Sequence, residues 1–298
     1  MPDELLTCAI LCYNYGRYLT EAIESVLGQE NADGRVECLV IDDGSTDETP
    51  AVCAKYSDRI RYLRTSHSGF AATLTRAVEE AHGRWVCLLD ADDRFKPSKL
   101  RTVLPLLRAG WLYVEHWEHV IDSQGNPLIA STYPGGCTST LCFARDAALP
   151  LLPAANEVFF HVLRMAGHGV EIREPLIDYR VHDRNMTDRR RRDRYHSWIA
   201  EVTDLLVARL RALQRVPPEW TDRHQLARIA AVYYADARRH EAAAATLRGR
   251  WFAGAWATTR SLMWRARLGQ WDRWSWATLL DIARRRPSQT APPRASMT

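Results

Sequence analysis

An α/β fold with a mostly parallel sheet, followed by a helical C-terminal region, is what this sequence predicts. Three observations carry that expectation. Short continuous apolar runs at residues 5–12, 36–41 and 85–89 alternate with helix-like segments over the first hundred residues. Each run stops abruptly at a polar cluster: Tyr13-Asn14, Asp42-Asp43-Gly44-Ser45 and Asp90-Ala91-Asp92-Asp93. From about Trp198 onward the pattern is helical, broken near Pro217-Pro218, Gly249 and Gly269. Unbroken apolar strands separated by helices belong to a parallel sheet covered on both faces. Right-handed crossovers then bring the carboxyl ends of the strands to one edge, where open α/β sheets bind ligands.

Taken in order, residues 5–12 form the first strand. The next helix runs from about Arg17, with Ala22, Ile23, Val26 and Leu27 on one face. Residues 36–41 form the second strand. Ser45 followed three residues later by Glu48 resembles a capping box that starts another helix. A weak third strand at 60–63 precedes a helix at 71–81, stopped by Gly83, and then the strand at 85–89. Residues 110–143 read as irregular and strand-rich, with a turn at Ser123-Gln124-Gly125-Asn126. A helix is expected at 153–167 and extended chain at 170–181. The Pro-, Ser- and Arg-rich end, 284–298, is expected to be disordered.

Composition narrows the function classes. Apolar residues make up 46% of the 298 positions and charged residues 26%, as in ordinary globular domains. Forty basic residues against 36 acidic ones leave only +4, which does not indicate a nucleic-acid partner. The seven cysteines all lie in the first half and form no C-x-x-C pair, so they read as reduced thiols. Met1-Pro2-Asp3-Glu4 lacks the start of a secretory leader, and no apolar run approaches the ~20 residues of a bilayer span. A cytoplasmic protein is expected. G-x-G-x-x-G, P-loop and G-x-S-x-G motifs are absent.

The rim is acidic instead. Carboxylates alone repel phosphate, so a phosphate-bearing ligand here requires a divalent cation between them. Asp90 and Asp92, two apart in extended chain, point to the same side. That spacing suits an oxygen-preferring ion such as Mg²⁺ or Mn²⁺.

These residues resemble the family 2 glycosyltransferases. Ala9-Ile10-Leu11-Cys12-Tyr13-Asn14-Tyr15 looks like the family's first strand and its end. Val40-Ile41-Asp42-Asp43-Gly44-Ser45-Thr46-Asp47 matches its second-strand motif, and Asp90-Ala91-Asp92-Asp93 sits at its D-x-D. Tyr179-Arg180-Val181-His182 with Asn185 looks like its late Tyr-Arg-x-His segment. The four motifs stand in the family's order over about residues 5–187.

The resemblance implies a GT-A-like, Rossmann-type nucleotide-diphospho-sugar transferase domain over residues 1–195. Its nucleotide-sugar half would be 1–100 and its acceptor half 101–195, followed by a helical region at 196–285 and a disordered tail at 286–298. It also implies roles. Tyr13, Asn14, Asp42, Asp43, Asp90 and Ala91 would meet the nucleotide sugar. Asp92 would bind Mn²⁺ or Mg²⁺ with the diphosphate, Asp93 competes with its neighbours for either role, and His182 would be a further metal or diphosphate contact. The implied activity is inverting sugar transfer from a nucleoside-diphosphate sugar to an acceptor hydroxyl, in polysaccharide or glycoconjugate synthesis. The acceptor would be a saccharide, a lipid-linked saccharide or another glycoconjugate.

Inversion needs a general base, which the family often places in a Glu-Asp pair followed by an Arg. Aligned on Arg164, Glu157 takes the first place of that pair and Val158 the second, where the base is common. A shift of one makes Glu157 the base, and Glu157 is the expected catalytic residue.

Competing readings exist for several segments. Asp42-Asp43-Gly44-Ser45 also suits a plain turn, and Glu157 a solvated charge in a first helical turn. Trp111, Tyr113, Glu115 and Trp117 share a strand face and are read as packing. Five arginines between Arg189 and Arg194 read as a solvated connector. Six of the eleven tryptophans lie beyond residue 250, interleaved with arginines. That region reads first as a helical appendage, with a peripheral contact at an anionic membrane face kept open. A homo-oligomer, a sugar-nucleotide nucleotidyltransferase and a non-catalytic scaffold also stay open.

Overall fold

The strands at the heart of the first unit are apolar along their whole length because both of their faces are covered. A computed structural model describes residues 5–30, 36–128, 132–183, 185 and 192–269. They divide into two units, 1–183 and 184–298. The expected tail at 286–298, the helical region beyond 269 and the arginines at 189–191 lie outside the described residues.

In the first unit β1 (Leu6–Cys12) is wholly buried, and β2 (Val36–Asp42) is buried over its last five residues. These strands, β3 (Arg61–Arg64) and β4 (Trp85–Asp90) run parallel, in the order β3-β2-β1-β4. Three helices cross between them or follow them. α1 (Gly16–Leu27) buries Leu19, Ala22, Ile23 and Val26. α2 (Thr49–Ala54) buries Val52 and Cys53, and α3 (Phe70–Glu80) buries Leu74, Ala77 and Val78. One core joins the buried side chains of α1 and α2 to Cys8, Ile10, Cys38, Val40, Cys87 and Leu89. The cysteines are free, and burial pushes the Cys12 and Cys38 thiols up to about 12.

The second half of the sheet is mixed. After β5 (Arg94–Phe95), α4 (Lys99–Arg108) and β6 (Tyr113–Ile121), the chain returns through β7 (Leu141–Ala144). The short helices α5 (Arg145–Ala148) and α6 (His161–Leu163) then lead to β8 (Gly169–Arg180). The full order is β3-β2-β1-β4-β7-β6-β8-β5. β7 runs antiparallel to both β4 and β6, β8 runs parallel to β6, and β5 pairs antiparallel with the end of β8.

Three elements depart from the sequence expectation. The helix expected at 153–167 is broken into a 3₁₀ turn at Glu157–Phe159, α6, and a widened turn at Arg164–His168 where Gly167 takes φ 89°. α4 is a helix that the sequence pattern did not disclose; it carries Pro105 inside and buries Leu100, Val103, Leu104 and Leu107. Ser45 does not cap α2, which starts at Thr49. Its hydroxyl instead accepts the Asn14 N–H at 2.9 Å. The physical reason is competition, since a serine oxygen that holds one loop to another is lost to a helix end.

The second unit comprises α7 (Arg192–Leu213), α8 (Arg223–Leu247) and α9 (Trp251–Arg267). Asp222 caps α8 by accepting the Gln225 N–H at 2.8 Å. The connections fall at Pro217-Pro218 and at Gly249, whose φ is 71°. Among the described residues no helix is long and apolar enough to cross a membrane.

Gly83 shows how closely β4 is set beside β1. A Cβ there would lie 2.5 Å from the Thr7 backbone nitrogen and 2.8 Å from the Leu5 carbonyl oxygen, and neither can move without shifting β1. Gly83→Ala is expected to lower unfolding stability by about 1–3 kcal/mol, read from the urea midpoint. An unchanged midpoint would refute this close approach.

Candidate active site

Three parallel strands end at one edge, and their loops are laced to each other before any ligand is considered. Asn14, just past β1, holds φ 58°, a left-handed conformation that asparagine tolerates better than most residues. Its Oδ1 accepts the Thr46 N–H at 2.8 Å. Asp47 accepts the Gly16 N–H at 2.9 Å. These bonds tie the β1 loop to the β2 loop.

The two aspartates at the end of β2 divide their work. Asp42 is fully buried; Oδ1 accepts the Ser45 N–H at 2.8 Å and Oδ2 accepts the Tyr62 hydroxyl at 2.6 Å. Asp43 accepts the Ser68 and Gly69 N–H groups at 2.7 and 2.8 Å, and His67 Nδ1 lies 2.8 Å from Oδ2. This anchoring presents the His67 ring to Tyr13, with centroids 4.1 Å apart and planes at 17°. Tyr13 is 41% exposed, so the stacked pair faces outward as a flat aromatic platform.

At the end of β4 the acidic quartet also splits. The Asp90 N–H donates to Ser139 Oγ at 2.9 Å, and Thr138 bonds the Asp90 side chain. The Ala91 N–H donates to the Leu11 carbonyl at 3.0 Å, and its methyl joins the core. Asp92 Oδ2 lies 2.9 Å from His182 Nε2. The His182 ring is itself set by Tyr15 and Tyr18, with centroids at 5.5 and 5.3 Å. Asp93 turns inward, accepting the Ser139 hydroxyl at 2.6 Å and the Arg180 N–H at 2.8 Å.

Arg180 holds this loop in place. Its Nε donates to the Asp92 carbonyl at 2.8 Å, Nη2 to Glu21 at 2.7 Å, and its guanidinium lies 4.6 Å from the Tyr18 ring centroid. Arg180 falls within the Tyr-Arg-x-His segment, but nothing in the sequence discloses this task. His67 and Ser139 sit in no motif, and a single sequence offers no signal for either.

Glu157 stands at the start of the 3₁₀ turn before α6. Asn156, fully buried, caps that turn by accepting the Val158 N–H at 3.0 Å. Arg164, six residues beyond Val158, is tied to Glu115 on β6 at 2.7 Å. Burial pushes the Glu157 carboxyl up to about 7. Its charge is felt by Asp90, which burial, Asp92 and Glu157 together push well above the usual carboxylate range. Asp93 is pushed up in the same direction by burial, Asp92 and Asp90.

The structure therefore brings Asp90, Asp92, Asp93, His182 and Glu157 into one electrostatic neighbourhood, and joins Tyr13 to Asp43 through His67. Asp42, Ala91 and Asp93 lie behind the rim, committed to partners within the protein. Tyr113 and Glu115 are buried and Trp117 half-buried, as packing on that strand requires, whereas Trp111 lies before β6 and is exposed. Among the described residues no group of three or more His, Cys, Asp or Glu side chains converges as a ready metal cage. Asp92 and His182 still provide an oxygen and a nitrogen donor beside the raised carboxyls of Asp90 and Asp93. That donor set fits Mn²⁺ or Mg²⁺ when further oxygens come from a ligand.

Comparison with known proteins agrees with this architecture. The succinoglycan biosynthesis protein ExoO of Rhizobium meliloti is 36% identical over 182 residues, 60% of this chain and 49% of that protein. The uncharacterized glycosyltransferase alr2836 of Nostoc sp. is 29% identical over 206 residues, 58% of this chain and 63% of that protein. The chain thus spans about half to two thirds of these relatives' lengths. Among solved structures, S. aureus TarS 1-349 in complex with UDP-GlcNAc superposes with a TM-score of 0.54 at 15% identity, covering 90% of this chain and 93% of that one. Mannosyltransferase PcManGT from Pyrobaculum calidifontis, in complex with GDP-Man and Mn²⁺, gives 0.51 at 17% identity, covering 95% and 81%. The mixed, mostly parallel sheet is the GT-A fold. Residues 7–132 match the sequence model for Glycosyl transferase family 2.

Proposed function

We propose that the protein transfers a sugar, with inversion, from a nucleoside-diphosphate sugar to an acceptor hydroxyl in polysaccharide or glycoconjugate synthesis. The observation that carries this reading is the convergence at one sheet edge of an aromatic platform, an acidic diphosphate seat and a half-buried carboxyl poised near neutrality. The ligands of the structural neighbours, UDP-GlcNAc and GDP-Man, support the donor class.

In this reading Tyr13, oriented through His67 and Asp43, takes the nucleobase on its face. Asn14 shapes the loop beside it, and Asp90 meets the ribose. Asp92 and His182 would hold Mn²⁺ or Mg²⁺, whose positive charge would stabilise the departing diphosphate. Asp42, Ala91 and Asp93 support the site from behind. Glu157 accepts the proton of the acceptor hydroxyl as that oxygen attacks the anomeric carbon opposite the leaving diphosphate. A base with a pKa near 7 is well matched to that task at neutral pH. Asn156 caps the turn that carries Glu157, and burial is the main influence that raises its carboxyl.

Nucleotide binding is testable first. UDP, GDP, TDP and CDP, each with and without Mn²⁺, are compared by thermal unfolding. One nucleotide at 100 times its dissociation constant is expected to add about 2.7 kcal/mol of stability, with the shift dependent on the metal. Asp92→Asn is expected to abolish the metal dependence and leave the unliganded melting point close to wild type. No shift with any nucleotide would overturn the donor assignment.

Glu157→Gln is expected to lower kcat by about 10²–10⁴-fold while nucleotide affinity stays unchanged. Unaltered turnover would remove Glu157 from the mechanism.

For the wild-type enzyme, kcat/KM is expected to be flat above pH 7. Below about 7, where Glu157 takes up a proton and ceases to be a base, it should fall about tenfold per pH unit. A profile flat down to pH 5 would contradict the role.

A further inference from the structure

The last described helix is packed inside out. α9 buries its small residues Gly254, Ala257, Thr258 and Ser261, and the Ser261 hydroxyl donates to the Ala235 carbonyl on α8 at 2.8 Å. Its large apolar residues face away: Phe252 is 93% exposed, Trp256 65% and Met263 54%. Spacings of four and seven residues place these three in one line along the helix. A helix that only covers a core shows the reverse arrangement. A row of exposed large apolar side chains of this kind, interrupted by Thr259, marks a surface with an occupant.

Charge identifies the occupant. α9 contains no acidic residue. Arg250 precedes the stripe and Arg267 follows it, both exposed, with the Arg267 guanidinium 5.3 Å from the Trp264 ring centroid. Arg260 and Arg265 reach Glu241 and Asp236 on α8, and so draw the helix's positive charge against its neighbour. Residues 248–298 hold ten arginines against Asp272 and Asp281, a formal +8 within a chain whose total is +4. The preceding 247 residues are therefore net negative, at −4.

We propose that this face of α9 lies on an anionic lipid surface. The helix would sit in the plane of the interface, with Phe252, Trp256 and Met263 entering the headgroup boundary and Arg250 and Arg267 meeting lipid phosphates. Aromatic and thioether side chains flanked by arginine are the composition of interfacial helices. A second copy of the chain fits less well. A two-fold contact sets the same patch against itself and would bring the flanking arginines together without acids to answer them.

The test uses the full chain and sedimentation with vesicles. Vesicles of phosphatidylcholine alone are compared with vesicles in which roughly one third of the lipid is phosphatidylglycerol. Binding is expected only to the anionic vesicles and is expected to weaken as salt is raised. The triple variant F252S/W256S/M263S is expected to bind at least about tenfold more weakly, and R250Q/R267Q several-fold more weakly. Both variants alter exposed side chains, so their melting points should match wild type. Absence of binding to anionic vesicles would overturn the proposal, as would equal binding by the triple variant. Conversion of a dimer to a monomer by the triple variant, without vesicle binding by the wild type, would assign the face to self-association and overturn it as well.

Discussion

The site depends on one buried guanidinium. Arg180, at the end of β8, is 1% exposed and spends its donors on the Asp92 carbonyl and on Glu21 of α1. Its own N–H fixes Asp93. Removing a charge of this kind from water is costly unless its donors are met, and here the carbonyls, Glu21 and the Tyr18 ring answer it. The consequence is positional. The acidic loop after β4 is pinned to the strand that delivers His182 two residues later, so Asp92 and His182 meet although 90 positions separate them.

Beside this anchor the protein gathers the carboxyls of Asp90, Asp92, Asp93 and Glu157. Burial, Asp92 and Glu157 raise the cost of ionising Asp90, and burial raises that of Glu157. A fold with no other purpose would replace such a cluster with apolar packing. In the proposed reading the cost is the reason the edge receives a divalent ion and keeps a carboxyl near neutrality. The same logic separates the aspartates that work at the surface from those that brace it. Asp42 and Asp93 have N–H or hydroxyl donors on both oxygens and stand behind the rim, whereas Asp92 faces His182.

The two units follow different packing logic. In the first, branched and aromatic side chains fill the space between sheet and helices. In the second, alanine-rich α8 meets the small residues of α9, so close helix approach takes the place of large-residue interdigitation and the bulk is displaced outward. Trp256 and Phe252 are exposed because the inner face has room only for Gly254, Ala257, Thr258 and Ser261.

Much of the catalytic-type fold could be read from the sequence, because its signals are local. Continuous apolar strands, helical periodicity and polar strand ends depend on neighbours along the chain. The Tyr13-Asn14, Asp42-Asp43 and Asp90–Asp93 clusters therefore disclose both the sheet edge and its acidity. Glu157 was legible as a candidate in one register, but its pKa near 7 was not, since burial is a property of the folded environment. His67, Ser139 and Arg180 acquire their tasks from contacts across 24 to 159 residues of chain. Ser45 shows the limit most plainly, because its local pattern predicts a helix cap while a distant loop takes its oxygen. The sequence by itself determined the order of elements and the chemistry at the strand ends. Only the tertiary structure decided which carboxylates brace, which face the ligand and which side of α9 is exposed, because those outcomes depend on through-space competition for donors and room.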